Sequence, residues 1–137
     1  MSGVGIGDVK AGAFLPALRI DITPKLIVGT AIASRDYQDV HHDKDAAQAL
    51  GSPDIFMNIL TTNGLVGRYV TDWCGSSARL NKIAIRLGAP NSPGDSMTLT
   101  GEVVSVDAGT GRVELEIIGE NRLGKHVTGA VVVTLTA

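Results

Sequence analysis

The sequence predicts an α+β domain: one long apolar helix wrapped by a curved antiparallel β-sheet. Three observations lead there. One apolar stretch near the middle has helical spacing, from about Ser52 to Trp73. The chain after Gly75 switches to period two in three successive runs and closes on a fourth strand with β-branched residues on both faces. Seventeen glycines and five prolines cut these runs apart at clear turns. With 137 residues, the chain has material for one core and no second one. Hydrophobic residues make up 44% and charged residues 19%, which excludes disorder as the main state.

The elements follow in order. Residues 1–13 are Gly-rich and read as a flexible arm, leaving 14–137 as a single domain. Gly3, Gly5 and Gly7 do not make a nucleotide loop, because no strand precedes them. Ala17 to Ile22 alternates as a first strand, ended by Pro24. Lys25 to Ser34 is apolar and suits either a strand or a short helix. Lys44 to Leu50 reads as a short helix stopped by Gly51. Ser52-Pro53-Asp54 offers a capping residue, a first-turn proline and an acid for the positive end of a long helix. Its apolar face is Ile55, Ile59, Val66, Val70 and Trp73, flanked by Phe56 and Leu60. Gly64 and Gly67 suggest close packing of that helix on a sheet. Ile83, Ile85 and Leu87 then mark a strand. Met97, Leu99, Gly101 and Val103 line one face of the next, and Val113, Leu115 and Ile117 the third. Val127 to Leu135 is the last. One sheet on one helix leaves much sheet face uncovered, so association is expected.

Composition limits function. The net charge of −2, from 12 basic and 14 acidic residues, excludes broad electrostatic binding of nucleic acid. No run approaches the ~20 apolar residues of a membrane span. Met1 to Gly12 lacks a charged segment followed by an apolar core, so a cytoplasmic protein is expected. Cys74 is the single cysteine. It can form no internal disulfide and is expected to be a buried thiol.

The chemistry concentrates in Arg35-Asp36-Tyr37-Gln38-Asp39-Val40-His41-His42-Asp43. A carboxylate and an imidazole five residues apart in a loop can converge on one small volume. Histidine exchanges protons near neutral pH, and a neighbouring carboxylate can share a water with it. Two histidines with carboxylates also suit a metal. However, adjacent His41 and His42 tend to point apart, and no metal is expected. His126, on the last strand, reads as structural or exposed.

The segment resembles the MaoC-like, or R-specific hydratase, branch of the hot-dog fold, whose motif is Asp-x-Asn-Pro-x-His. Asp36 and His41 keep the spacing, while Gln38 and Asp39 replace Asn and Pro. Ile83 to Val104 is similar to that family's second strand, turn and third strand. The stretches Ser34 to Asp43, Asp54 to Thr61, and Gly64 to Trp73 resemble small MaoC-like subunits of actinobacterial steroid side-chain degradation. The resemblance implies syn addition of water to a trans-2-enoyl-CoA, giving an R-3-hydroxyacyl-CoA. It implies Asp36 and His41 as the catalytic pair, and no cofactor beyond the CoA of the substrate. The backbone N–H of Asn58, aligned with a family glycine, would receive charge on the thioester oxygen. The implied partner is a second MaoC-like subunit lacking the Asp/His pair, in an α2β2 assembly; otherwise the chain is a homodimer. Arg79, Lys82 and Arg86 are candidates for the CoA phosphates. A hot-dog thioesterase, a non-catalytic acyl-CoA-binding or scaffolding subunit, and a small metal-binding domain are the alternatives.

Overall fold

The computed structural model describes residues 3–137. Strand β1 (Phe14–Asp21) leads into helix α1 (Pro24–Ala33), short helix α2 (Lys44–Ala49) and the central helix α3 (Ile59–Cys74). Strands β2 (Arg79–Leu87), β3 (Ser96–Asp107), β4 (Arg112–Asn121) and β5 (Gly124–Thr134) complete the chain. They form one five-stranded antiparallel sheet in the order β1-β3-β4-β5-β2.

The core lies between α3 and the inner face of the sheet. Period-two alternation buries Met97, Leu99, Gly101 and Val103 of β3, Val113, Leu115 and Ile117 of β4, and Val127, Val131 and Val133 of β5. Those of β3 and β4 are the inward residues that the sequence pattern predicts, whereas the last strand is β-branched on both faces and its pattern does not single out Val127, Val131 and Val133. Helix α3 meets them with Thr62, Val66, Tyr69 and Val70. Gly67 lies against the sheet, where a Cβ would stand 3.3 Å from the Ile83 side chain, whereas Gly64 faces open space. Only one of the two glycines is therefore needed for packing.

The helix begins later than predicted, and its buried face is rotated. Residues 52–58 are irregular because their backbone is engaged elsewhere. The Phe56 N–H donates to Val40 O at 3.2 Å, and the Met57 N–H to Asn91 O at 3.0 Å. The cap is Asn58, whose side chain accepts from the Thr61 N–H. Ile59 and Leu60, placed on the apolar face by the sequence reading, are exposed. The ambiguous stretch after β1 is helical. Thr23 caps it, and Pro24 stands at its first turn.

The predicted flexible arm is docked as far as it is described; Met1 and Ser2 lie outside the described residues. The Val4 N–H donates to Cys74 O, the Ile6 N–H donates to Thr136 O, and Val9 is buried. Glycine permits the docking: a Cβ on Gly3 would collide with the Cys74 carbonyl, and one on Gly75 would come within 2.5 Å of Gly3 Cα. Among the described residues, no helix is long and apolar enough to cross a membrane.

Deleting residues 1–8 removes those backbone bonds and the packing of Val4 and Ile6. Thermal unfolding should shift down by about 5 °C, the scale of 1–2 kcal/mol in a domain of this size. An unchanged melting temperature would show that the arm contributes nothing to the fold.

Candidate active site

The carboxylate of the site is placed by the end of α1. The Asp36 N–H donates to Ala31 O at 2.8 Å, and the Arg35 N–H to Ile32 O at 3.0 Å. This pair of bonds is a Schellman ending, with Arg35 as the left-handed residue at φ 57°. Glycine normally fills that position, since a side chain there costs ~1–2 kcal/mol. The reversal sends Asp36 back toward the N-terminus of α3.

The next residues hold the loop shut. The His42 Nε2–H donates to the Asp36 carbonyl at 2.7 Å, and the His42 ring stacks on Tyr37. A short 3-10 turn over Asp39–His41 then turns His41 inward, where it is buried. Its Nδ1 lies 2.6 Å from Phe56 O. A carbonyl can only accept, so Nδ1 carries the hydrogen. Nε2 is left as the exchanging nitrogen, and it faces Asp36 Oδ2 at 3.2 Å. The Phe56 ring meets the imidazole edge-on, with centroids 5.1 Å apart. His41 and His42 thus face different partners. Among the described residues, no three His, Cys, Asp or Glu side chains converge as metal ligands.

Asp36 accepts from two donors. Asn58 Nδ2–H reaches Oδ2 at 3.0 Å, and the Gln38 N–H reaches Oδ1 at 3.2 Å. The Asn58 bond is foremost in holding the Asp36 carboxyl below its ordinary value, followed by the Gln38 bond. Asn58 itself is buried at the mouth of α3. Its backbone N–H donates to no group among the described residues. A free donor at a helix N-terminus can receive developing negative charge.

A third histidine belongs to this pocket, and alternation alone hides it. His126 shares its parity with the outward residues Thr128 and Ala130. A β-bulge intervenes: Gly119 pairs with Val127 and Glu120 with Lys125, so His126 has no partner in β4 and turns inward. Its Nδ1–H donates to Ala89 O at 2.7 Å, so Nε2 accepts from the fully buried Thr62 hydroxyl at 2.8 Å. Burial pushes the His126 pKa down from 6.5, which keeps the ring neutral. Asp36, His41, Asn58 and His126 line one pocket of about 360 Å³, with Phe56, Ile59 and Leu87 as its apolar wall.

The predicted CoA contacts are not brought here. Lys82 and Arg86 alternate with the core-facing Ile83 and Ile85, so they project from the outer face of the sheet. Arg79 is exposed and pairs with Thr134 at the opposite end of β2 from Leu87, roughly 25 Å away along the strand. All three thus lie outside this pocket, Lys82 and Arg86 by alternation and Arg79 by distance. Cys74, at the far end of α3, is buried, and burial pushes its thiol pKa up, away from nucleophilic use.

Known proteins resemble this chain in sequence and fold. Residues 11–122 match the model of the MaoC-like domain family. The chain is 52% identical over 120 residues to the 3-oxo-4,17-pregnadiene-20-carboxyl-CoA hydratase beta subunit of Mycobacterium tuberculosis, covering 88% of this chain and 92% of that one. A solved chain of the ChsH1-ChsH2 complex from the same organism superposes with a TM-score of 0.89 at 50% identity, over 92% of this chain and 98% of that one. The R-hydratase PhaJ1 of Pseudomonas aeruginosa superposes equally well, TM-score 0.89, at only 17% identity, over 98% of this chain and 86% of that one. That likeness speaks for the hot-dog fold alone.

Two stability measurements check the local physics. Arg35→Gly should raise the free energy of unfolding by about 1 kcal/mol in urea, because it relieves the left-handed residue. A loss of stability would show that Arg35 makes compensating contacts. For His126, the lowered pKa means that the unfolded chain binds the extra proton first as pH falls below 6.5. The His126 contribution is therefore fully favourable above that pH and is lost as pH drops toward the folded value. Replacing His126 with Gln should flatten the stability curve below pH 6.5; an unaltered slope would contradict the neutral buried ring.

Proposed function

The chain belongs to the MaoC-like domain family and is a hydratase subunit, and we propose that Asp36 and His41 are the groups that handle water in its reaction. The substrate class is an enoyl-CoA thioester. The relative at 52% identity is named for 3-oxo-4,17-pregnadiene-20-carboxyl-CoA, which supports a steroid acyl group for this chain. The observation that carries this reading is the 3.2 Å contact between His41 Nε2 and Asp36 Oδ2, with Nδ1 committed to the Phe56 carbonyl. One side of the imidazole is fixed and the other is free to exchange a proton with a water at the carboxylate.

The reaction balances with these groups alone. Water bound between Asp36 and His41 loses a proton to the pair as its oxygen bonds to the β-carbon. The π electrons move toward the thioester oxygen, where the Asn58 N–H and the positive end of α3 stabilise the charge. The pair then returns a proton to the α-carbon. Acid and base are roles of the pair rather than of either residue. Phe56, Ile59 and Leu87 give the acyl group an apolar wall.

A second subunit works with this one. The relative is a beta subunit, and the similar solved chain comes from a two-component complex. The partner in our reading is a MaoC-like subunit without the Asp/His pair, in an α2β2 assembly. The sheet supports an edge contact. Pro16 and the Leu15/Leu18 bulge blunt the β1 edge, whereas the outer edge of β2 contains no proline and is unpaired among the described residues.

Asp36→Asn and His41→Ala should each slow hydration by roughly 10²–10⁴-fold, the usual contribution of a positioned acid–base group. The rate is read from loss of the conjugated enoyl thioester absorbance, with assembly checked by size-exclusion chromatography. A near-parental rate in either assembled variant removes that residue from the chemistry.

A further inference from the structure

The side chain of Asn58 has a task separate from its backbone N–H. Its Oδ1 accepts from both the N–H of Thr61, at 2.9 Å, and the Thr61 hydroxyl, at 2.6 Å. Those two donors fix the orientation of the amide, because a flipped group would set NH₂ against N–H. Nδ2 must then face the other way. One of its hydrogens goes to Ser34 Oγ at 3.0 Å and the other to Asp36 Oδ2 at 3.0 Å. The Ser34 hydroxyl is already spent on Thr30 O at 2.8 Å, so its oxygen can only accept from Asn58. Every hydrogen-bonding position of the Asn58 amide is used, and the residue is 3% exposed.

We propose that the Asn58 amide is a positioning residue for the hydration, locking the Asp36 carboxylate onto His41 by tying it to the N-cap of α3. The proposal rests on the reading of Asp36 as a catalytic group. Helix α3 carries a rigid, doubly anchored donor, and Asp36 Oδ2 sits between that donor and His41 Nε2. The charges around Asp36 are few. His41 faces it, His42 bonds its carbonyl, and His126 approaches from β5; no lysine, arginine or second carboxylate lines the pocket. The Asn58 donor is therefore foremost among the groups that favour the ionised Asp36.

Asn58→Asp and Asn58→Ser test this in the assembled enzyme. Both replacements keep an oxygen that caps α3, so melting should stay within a few degrees of the parent. An ionised Asp has no hydrogen to donate, and the Ser hydroxyl sits on a shorter stem, out of reach of the position Nδ2 holds beside Asp36. In both, kcat should fall about tenfold or more with KM little changed, since a displaced catalytic group loses rate rather than binding. In Asn58→Asp, the acidic limb of the kcat/KM profile should also move up by about one pH unit or more, because two carboxylates then share one site. Parental kcat in either variant overturns the proposal. So does a fall that tracks lost thermal stability with the acidic limb unmoved. Should Asn58→Asp not assemble, kcat of Asn58→Ser decides. Asp36→Asn is run alongside: if it keeps the parental rate, the catalytic reading of Asp36 fails, whatever the Asn58 variants do.

Discussion

Asn58, Thr61 and Thr62 bury one side of the first turn of α3, and the orphan N–H groups there must still find partners. That constraint organises the rest of the molecule. Asn58 answers it with Oδ1, and the other half of the same amide is thereby aimed at Asp36. The segment leading into the cap serves the same site. Phe56 gives its carbonyl to His41, and Met57 ties its N–H to Asn91 in the loop between β2 and β3. A helix start, a carboxylate and an imidazole are thus fixed by one short stretch of chain. Part of its backbone bonds to distant loops rather than to itself.

The sheet contributes rigidity and one departure from regularity. Its inner face packs on Val66 and Val70 in strict alternation, which holds α3 still beneath the pocket. The bulge at His126 breaks that alternation where β5 passes the site. An inward histidine results, bonded on both nitrogens and held neutral by burial. Its hydroxyl partner, Thr62, is on the first turn of α3, so the bulge braces the helix end that carries the donor at Asn58.

Much of this was legible in the chain. Strands β3 and β4 announce themselves because one face is buried and the other largely exposed, which writes period two into the sequence; β2 keeps that period with Ile83 and Ile85 half-buried. Asp36 and His41 stand out through their spacing, and the family resemblance adds to it. Long-range backbone pairing is what local patterns do not encode. Ser52-Pro53-Asp54 carries every local sign of a helix start, yet Val40 and Asn91 hold the following N–H groups and delay the helix to Asn58. The arm looked mobile because of its glycines, and those same glycines let it lie against Cys74. His126 was masked by a register shift that only the β4–β5 pairing reveals. The alternation of β2 puts Lys82 and Arg86, the phosphate candidates, on the face of the sheet away from this pocket.

The direct test is the product itself. The chain, assembled with its partner subunit, is incubated with 3-oxo-4,17-pregnadiene-20-carboxyl-CoA, and the thioester is weighed by mass spectrometry in ordinary and ¹⁸O-labelled water. Our account predicts an intact CoA ester heavier by one water, carrying the label on the acyl part. Free CoA with labelled carboxylic acid would mean thioester hydrolysis on the same fold. An unchanged substrate, with both subunits folded and assembled, would mean that this chain binds or scaffolds without catalysing.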